Sequence, residues 1–461
     1  MLQFFRINDP YRIIFVFLIL VTIRVVWLVV GLPLSIPELK WLLVGQRLGD
    51  GFTMYRDLYD YTGPVAVFFY KWLDIIFGKS RWVHVVFSTL LITIQASMLN
   101  GLLIRNKAYN ENNYLPAFVY VICMSATMDF FSLSPQLISV TFIIMALNHV
   151  FRRIDNVITD ELFLYSGIYL GLALMCYLPS VIFFVIFLLS LILFSSAVAR
   201  RILMFVYGAS VVFIIIWGYY YWFDASADLL FDFFVTPFLR DKVWYIGFLE
   251  LIKISAFLIL ALLLGISVVF TQRVTNFQQK MQQVMLLFIV AGFGILFLSS
   301  DLMTADLVFF VPSITFFLVY YFLGLKRRFW KILLPYGLII GLVAYPYFWM
   351  NSTVIDALIV ANDNRGNEQS EETLMGIGLE INDYRNYHLG GPFLDPFVSN
   401  RKIEQLNYFD GVSGMFYGIT TSEPDLIHDE LGIAPTIFQR FPEFAKSYEQ
   451  SGANHYQKIS N

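Results

Sequence analysis

The sequence predicts an α-helical polytopic membrane protein of about 11 transmembrane helices, with interfacial helices in the first outer loop and a small soluble α/β domain at the C-terminus. Three observations carry that class. Hydrophobic residues make up 58% of the 461-residue chain and charged residues 14%, against roughly 45–50% and 25% in globular proteins. The hydrophobic residues gather in eleven runs of the length that a helix needs when hydrocarbon offers its backbone no partner. Lys and Arg fall in alternate loops, the pattern of a chain whose basic loops stay cytoplasmic. The balance of 31 Lys+Arg against 34 Asp+Glu leaves no basic footprint for nucleic acid. Cys123 and Cys176 each lie inside an apolar run, as buried small hydrophobes rather than a disulfide framework.

The runs cover residues 13–33, 82–104, 114–132, 137–151, 163–177, 179–198, 202–223, 246–271, 285–300, 307–325 and 332–350. The fourth, fifth and ninth are short, as tilted or broken spans are. The first lacks a small-x-small cleavage site and is too long for a signal peptide core, so it reads as a retained anchor. With the N-terminus cytoplasmic, the inner loops hold Arg105, Lys107, Arg152, Arg153, Arg200, Arg201, Arg273, Lys280, Lys326, Arg327, Arg328 and Lys331. The short outer loops at 133–136, 178 and 301–306 contain no Lys or Arg. This alternation assigns residues 1–350 to the membrane domain. It puts both the loop 34–81 and the tail 351–461 on the outer side.

Within the outer loop, residues 38–49 read as a short amphipathic helix. At 100° per residue Glu38, Gly45 and Gly49 fall within about 40° of one another, with Lys40 and Arg47 on the far side. Either a reactant approaches Glu38 over a shelf without side chains, or another helix packs closely at the glycines. The stretch from Met54 to Pro64 is a turn rich in carboxylates and phenols. Pro64 then opens a second helix, closed by Gly78 and too short to cross a bilayer. Both helices are expected to lie along the outer surface.

The order of first span, acidic residue on a surface helix, glycine, Tyr-x-Asp (Tyr55-Arg56-Asp57), then Gly63-Pro64 opening a second surface helix that ends at Phe77-Gly78 resembles the first outer loop of the GT-C integral-membrane glycosyltransferases. That superfamily includes the protein O-mannosyltransferases and the lipid A aminoarabinose transferases. The similarity extends to Gly167-Ile168-Tyr169-Leu170-Gly171-Leu172-Ala173, to the late span around Pro312, and to Glu423–Glu430 in the tail. It covers most of the chain in architecture and about 40 residues in motif.

The resemblance implies an inverting transferase that moves a sugar from a polyprenyl-phosphate donor to a lipid, glycan or protein acceptor at the outer face of a bacterial inner membrane. Glu38 would be the general base, and Asp57 and Asp60 would orient the acceptor or share a divalent metal through their oxygens, unless the stretch from Tyr55 to Asp60 only caps and braces the turn. Tyr55, Tyr59 and Tyr61 would line the acceptor cavity, and Arg24, Arg240, Lys242 and Lys253 are the cations available for the donor phosphate. Arg24 and Lys253 have internal readings as well: a polar contact within the bundle, and an i, i+3 pair with Glu250. No zinc site is expected, because His84, His149, His388, His428 and His455 are scattered. No cofactor is required beyond that optional metal.

Two departures from the family pattern set a second hypothesis beside the first. Pro37-Glu38 stands where many members have paired acids, and Asp301–Asp306 is acidic where many carry Arg or His. The alternative is a catalytically inactive GT-C-like scaffold that docks envelope proteins in a secretion or surface-assembly complex. In the tail, Asn362–Thr373 is polar enough for disorder. Beyond it the pattern predicts a strand at 374–380, helices at 402–409 and 411–420, a strand at 425–430 and a last helix near 435–449. An Asn-Ser-Thr glycosylation pattern occupies 351–353, without a sign of a eukaryotic secretory origin.

Overall fold

The computed structural model describes residues 2–154, 160–194, 199–270, 274–325, 328–350, 357–360 and 372–459. The polar stretch up to residue 371 and the glycosylation pattern at 351–353 lie outside the described residues.

Every predicted apolar run contains helix. Among the described residues, five helices are long and apolar enough to cross a membrane: Arg12–Val30, Arg81–Arg105, Ala199–Trp222, Asn276–Leu298 and Thr304–Gly324. A sixth is added if Phe248–Ile254 and Ala256–Val269, bent by 68°, form one broken span. The other runs are shorter or interrupted. The third stops as helix at Cys123 and resumes as a single turn at Met128–Phe131: the Ser125 and Ala126 N–H groups donate three residues back, to Ile122 and Cys123, and Thr127 is extended. The count of eleven thus stays an expectation.

The chain divides into two compact units. One comprises Met1–Pro33, His84–Ile214 and Lys242–Ala357. In it, the Gly167–Ala173 motif is a packing seam, because a Cβ on Gly167 would stand 1.9 Å from the Phe205 carbonyl oxygen and one on Gly208 2.4 Å from that of Leu164. Small residues let the helices Glu161–Cys176 and Ala199–Trp222 meet backbone to backbone, the source of affinity between helices that lipid does not drive together. Two short parallel strands, β1 (Val243–Trp244) and β2 (Asp301–Leu302), join loops of the same unit.

The second unit comprises Leu34–Val83, Ile215–Asp241 and Leu358–Asn461. Its first two helices are Ile36–Gly49 and Pro64–Phe77, within two residues of the expected bounds. They pack on each other at the glycines. A Cβ on Gly45 would meet the Tyr70 carbonyl oxygen at 3.0 Å, and one on Gly49 the Asp74 carboxylate at 2.2 Å, so the shelf beside Glu38 is occupied. The helix is also buried on every side from Pro37 to Leu48, rather than amphipathic with a wet face. Its polar side meets other charges of the unit instead of water. The loop edges are held by main-chain bonds: Ile36 N–H to Leu358 O at 2.8 Å, Val360 N–H to Leu34 O at 2.9 Å, and Tyr59 N–H to Pro392 O at 2.8 Å.

The tail folds around a five-stranded mixed sheet of order β4-β3-β5-β7-β6, with β3 Thr373–Ile377, β4 His388–Leu389, β5 Leu426–Asp429, β6 Tyr448–Gly452 and β7 His455–Lys458. β3 runs parallel to β4 and β5, while β7 is antiparallel to both β5 and β6. The helix expected at 411–420 appears as Phe409–Thr420, whereas the one expected at 402–409 lies earlier, at Pro396–Glu404, where Asp395 caps it, with only a short turn at Gln405–Asn407 after it. The expected helix near 435–449 does not form as one element. It ends at Arg440, Pro442 starts a four-residue turn of helix, and Tyr448 enters a hairpin that reverses at Asn454, φ 66°.

Candidate functional site

In the second unit the first-loop acids meet cations. Ser35 caps helix Ile36–Gly49 by accepting from the Glu38 N–H at 3.3 Å, which fixes Glu38 in the first turn. The Glu38 carboxylate accepts from Arg81 Nε at 3.1 Å. Burial raises the Glu38 carboxyl above the usual carboxylate range, against the pull of Arg81 and the Ser35 contact.

Two residues on, Lys40 Nζ lies 2.5 Å from Asp60 Oδ1, 3.8 Å from Asp395 Oδ2, and 3.9 Å from the Tyr61 ring centroid. Arg240 approaches from the other side, 3.0 Å from the same Asp395 oxygen and 4.9 Å from the Tyr61 ring. Asp395 also accepts from the N–H groups of Phe397 and Val398, so one carboxylate starts helix Pro396–Glu404 and bridges two cations. Burial lifts the Asp395 carboxyl, while Lys40 and Arg240 draw it down. Asp60 further accepts from the Thr62 N–H at 3.1 Å and hydroxyl at 2.5 Å.

Asp57 has a separate role. It accepts from Arg56 at 2.8 and 2.9 Å and from the Thr53 N–H at 2.9 Å, bracing the turn in which Tyr55 takes a φ of 71°. The Tyr55 hydroxyl donates to Thr62 O at 2.7 Å. Tyr59 is buried in the tail's core beside Phe393. Of the expected residues, Asp60, Tyr61 and Arg240 therefore join one cluster, completed by Lys40 and Asp395. Glu38 and Asp57 each sit in their own pair. Among the described residues no group of three or more His, Cys, Asp and Glu side chains could hold a metal.

The sequence reading missed Lys40, Arg81 and Asp395. It also missed a further pair of bridges, Arg401 to Asp232 at 2.5 Å and Lys402 to Asp228. The Asp395-Pro396 dipeptide, a capping residue before a first-turn proline, was the available signal for one of them.

The remaining expected cations lie in the first unit. Arg24 donates to the carbonyls of Val85 at 3.0 Å and Phe130 at 2.8 Å and to the hydroxyls of Ser88 and Thr89 at 2.5 and 2.7 Å, the internal contact of its two readings. Lys253 pairs with Glu250 at 3.8 Å. The acidic loop turns inward: Asp306 accepts from Tyr177 at 2.6 Å and from Gln136 at 3.2 Å. Lys242 lines a cavity. Its ammonium donates to Leu296 O at 2.6 Å, in the last turn of helix Asn276–Leu298, and lies 5.4 Å from the Trp244 ring. Partial burial lowers its pKa, and Asp306 acts in the opposite direction.

The cavity encloses about 440 Å³ and is walled by Trp244, Phe248, Leu258, Phe293, Phe297 and Phe310 among other apolar side chains. Its polar contributors are Lys242 and Ser255. Trp244 and Phe297 on its wall are exposed, so the space opens outward.

No family model and no curated protein matches the chain. Among solved structures, ArnT from Cupriavidus metallidurans bound to undecaprenyl phosphate is similar over 98% of this chain and 99% of that one, at 10% identity and a TM-score of 0.58. Its apo form aligns over 91% and 94%, at 12% identity and a TM-score of 0.56. The archaeal oligosaccharyltransferase AglB from Archaeoglobus fulgidus, in complex with an inhibitory peptide and a dolichol-phosphate, covers 98% of this chain and 75% of its own. Its identity to this chain is 10% and its TM-score 0.48. The likeness to ArnT extends through nearly the whole chain, so the fold is similar to that of ArnT.

Proposed function

We propose that this chain is an integral-membrane glycosyltransferase of the GT-C type, taking its sugar from a polyprenyl-phosphate donor at the outer face of a bacterial inner membrane. The observation that carries the reading is the apolar cavity with Lys242 as the cation of its lining. A polyprenyl chain needs apolar walls and its phosphate needs a cation where those walls end. ArnT, whose fold this chain shares, was solved with undecaprenyl phosphate bound. In the reaction so proposed, an acceptor hydroxyl attacks the anomeric carbon and gives its proton to Glu38. The polyprenyl phosphate leaves with the bonding electron pair, and the configuration inverts. Burial suits Glu38 to that task by raising its affinity for the proton.

Lys242→Met keeps the length of the side chain and removes the charge. A charge-assisted contact is worth about 1.5–3 kcal/mol, so undecaprenyl phosphate binding to the purified full chain should weaken by about 10–100-fold. Wild-type affinity in that variant would reject the cavity as the donor site.

A specific observation favours the second reading, the scaffold without transfer. The three acids assigned to the site each have a cation beside them: Glu38 with Arg81, Asp57 with Arg56, Asp60 with Lys40. Glu38→Gln separates the two readings, since the amide keeps the shape and cannot take the proton. A transferase loses sugar transfer by at least about 10²-fold. If wild type and variant alike release no sugar while envelope proteins copurify with the tail, the scaffold reading stands.

A further inference from the structure

Helix Phe409–Thr420 of the tail has two unlike faces. Met415 and Ile419 are buried in the tail's core together with Leu406, Ile427 and Phe441. On the flank of that face Phe409 and Phe416 are 83% and 49% exposed, Phe416 also reaching the core residue Phe441 with ring centroids 6.5 Å apart, with Tyr408 just before the helix at 71% and Tyr417 at 55%. Phe409, Ser413 and Phe416 follow one another at i, i+4 and i+7, so the aromatic side chains form a stripe rather than a scatter. Large aromatic rings held in water along one stripe of a water-soluble domain are unusual enough to need a partner.

Arg56 identifies what lies beside the stripe. Its guanidinium donates to the Phe223 carbonyl at 3.1 Å and stands 5.1 Å from the Tyr417 ring centroid, while Asp57 holds it in place. Phe223 directly follows helix Ala199–Trp222, one of the five helices apolar enough to cross a membrane. The last turns of that helix expose Tyr219, Tyr221 and Trp222. These are the residue types that gather at the level of lipid headgroups, where a flat ring meets apolar chains on one side and water on the other. The stripe of Phe409–Thr420 therefore continues an aromatic girdle at the end of a span.

We infer that helix Phe409–Thr420 is an interfacial helix: the tail rests on the bilayer through Tyr408, Phe409, Phe416 and Tyr417, with lipid as the occupant of this face. Arg56 couples the helix to the span end. The tail is thereby held at the membrane surface by lipid contact as well as by its links to the first loop.

Cys123 and Cys176 are both buried, which leaves introduced cysteines as the reactive ones. Phe409→Cys, Phe416→Cys and, as a control on the exposed hairpin, Ser451→Cys are each spin-labelled in the full chain and reconstituted into phosphatidylethanolamine–phosphatidylglycerol nanodiscs. Collision with oxygen, which concentrates in lipid, is compared with collision with a water-soluble nickel chelate. Positions 409 and 416 should shift toward oxygen and position 451 toward nickel. Labels at 409 and 416 as accessible to nickel as the label at 451 would overturn the inference. Dipolar broadening at 409 or 416 when two chains share a disc would overturn it too, because a second copy would then be the occupant. Phe409 is mostly exposed, so its replacement leaves the core intact. Phe409→Tyr serves as the check that the fold and the remaining labels are unchanged.

Discussion

Lys40 sits between Asp60 and Asp395 under the Tyr61 ring, a position that its sequence neighbours do not announce. Buried ion pairs add little net stability, but removing one partner strands the other, so such a cluster fixes geometry more than it adds free energy. Asp74 shows the opposite case, a half-buried acid on which burial and a neighbouring acid outweigh Lys79. Burial and nearby Asp50 lift its carboxyl to about 6, against the pull of Lys79. An unfolded aspartate titrates near about 3.9. Between those values the folded chain keeps a proton that the unfolded chain has released. The favourable contribution is therefore complete below the unfolded value and is lost as pH rises through about 6. Thermal unfolding of wild type should lose more stability between about pH 4 and pH 7 than that of Asp74→Asn, which cannot titrate. An identical pH dependence in the two would refute the shifted carboxyl.

At the scale of elements, glycines decide how closely helices approach. A methyl group on Gly167 meets the Phe205 backbone at 1.9 Å, so Gly167→Ala must push two helices apart. The overpacking cost, about 1–3 kcal/mol and toward the upper end for a rigid backbone neighbour, exceeds the gain of about 1 kcal/mol in helix propensity. A methyl group on Gly49 meets only the mobile end of Asp74, which can swing away, so Gly49→Ala should be neutral within about 1 kcal/mol. Detergent-solubilised melting curves of the two variants check the contrast, and equal losses would contradict it. These helices were legible because their signals are local: Pro64 opens one and Gly78 closes it. The hairpin at 448–458 was not legible. Its strands are defined by pairing with β5 across the domain, while the spacing of Phe438, Phe441 and Phe444 suggests a continuing helix that Pro442 interrupts. Asp395 escaped for a related reason, since its partners Lys40 and Arg240 come from distant parts of the chain.

At the scale of the whole molecule, the order of features in the first outer loop pointed to a fold that the likeness to ArnT at 10% identity bears out. The number of spans was less readable, because apolar runs such as 114–132 contain breaks that hydrophobicity alone does not register. The loop charges still make a prediction of orientation. Ser80→Cys and Ser451→Cys should both react with an impermeant thiol reagent added from outside intact spheroplasts, and protection of either until permeabilisation would reverse the topology. The contacts of Arg24 bear on biogenesis. An arginine midway along a lone helix costs about 2.5–3.5 kcal/mol at the bilayer centre. Its acceptors, Val85, Ser88, Thr89, Phe130 and Phe131, are made only after two further segments leave the ribosome. The N-terminal helix, with a mean hydropathy of 3.0, is apolar enough to carry that cost, and the guanidinium gains its acceptors only as the nascent chain delivers residues 81–131.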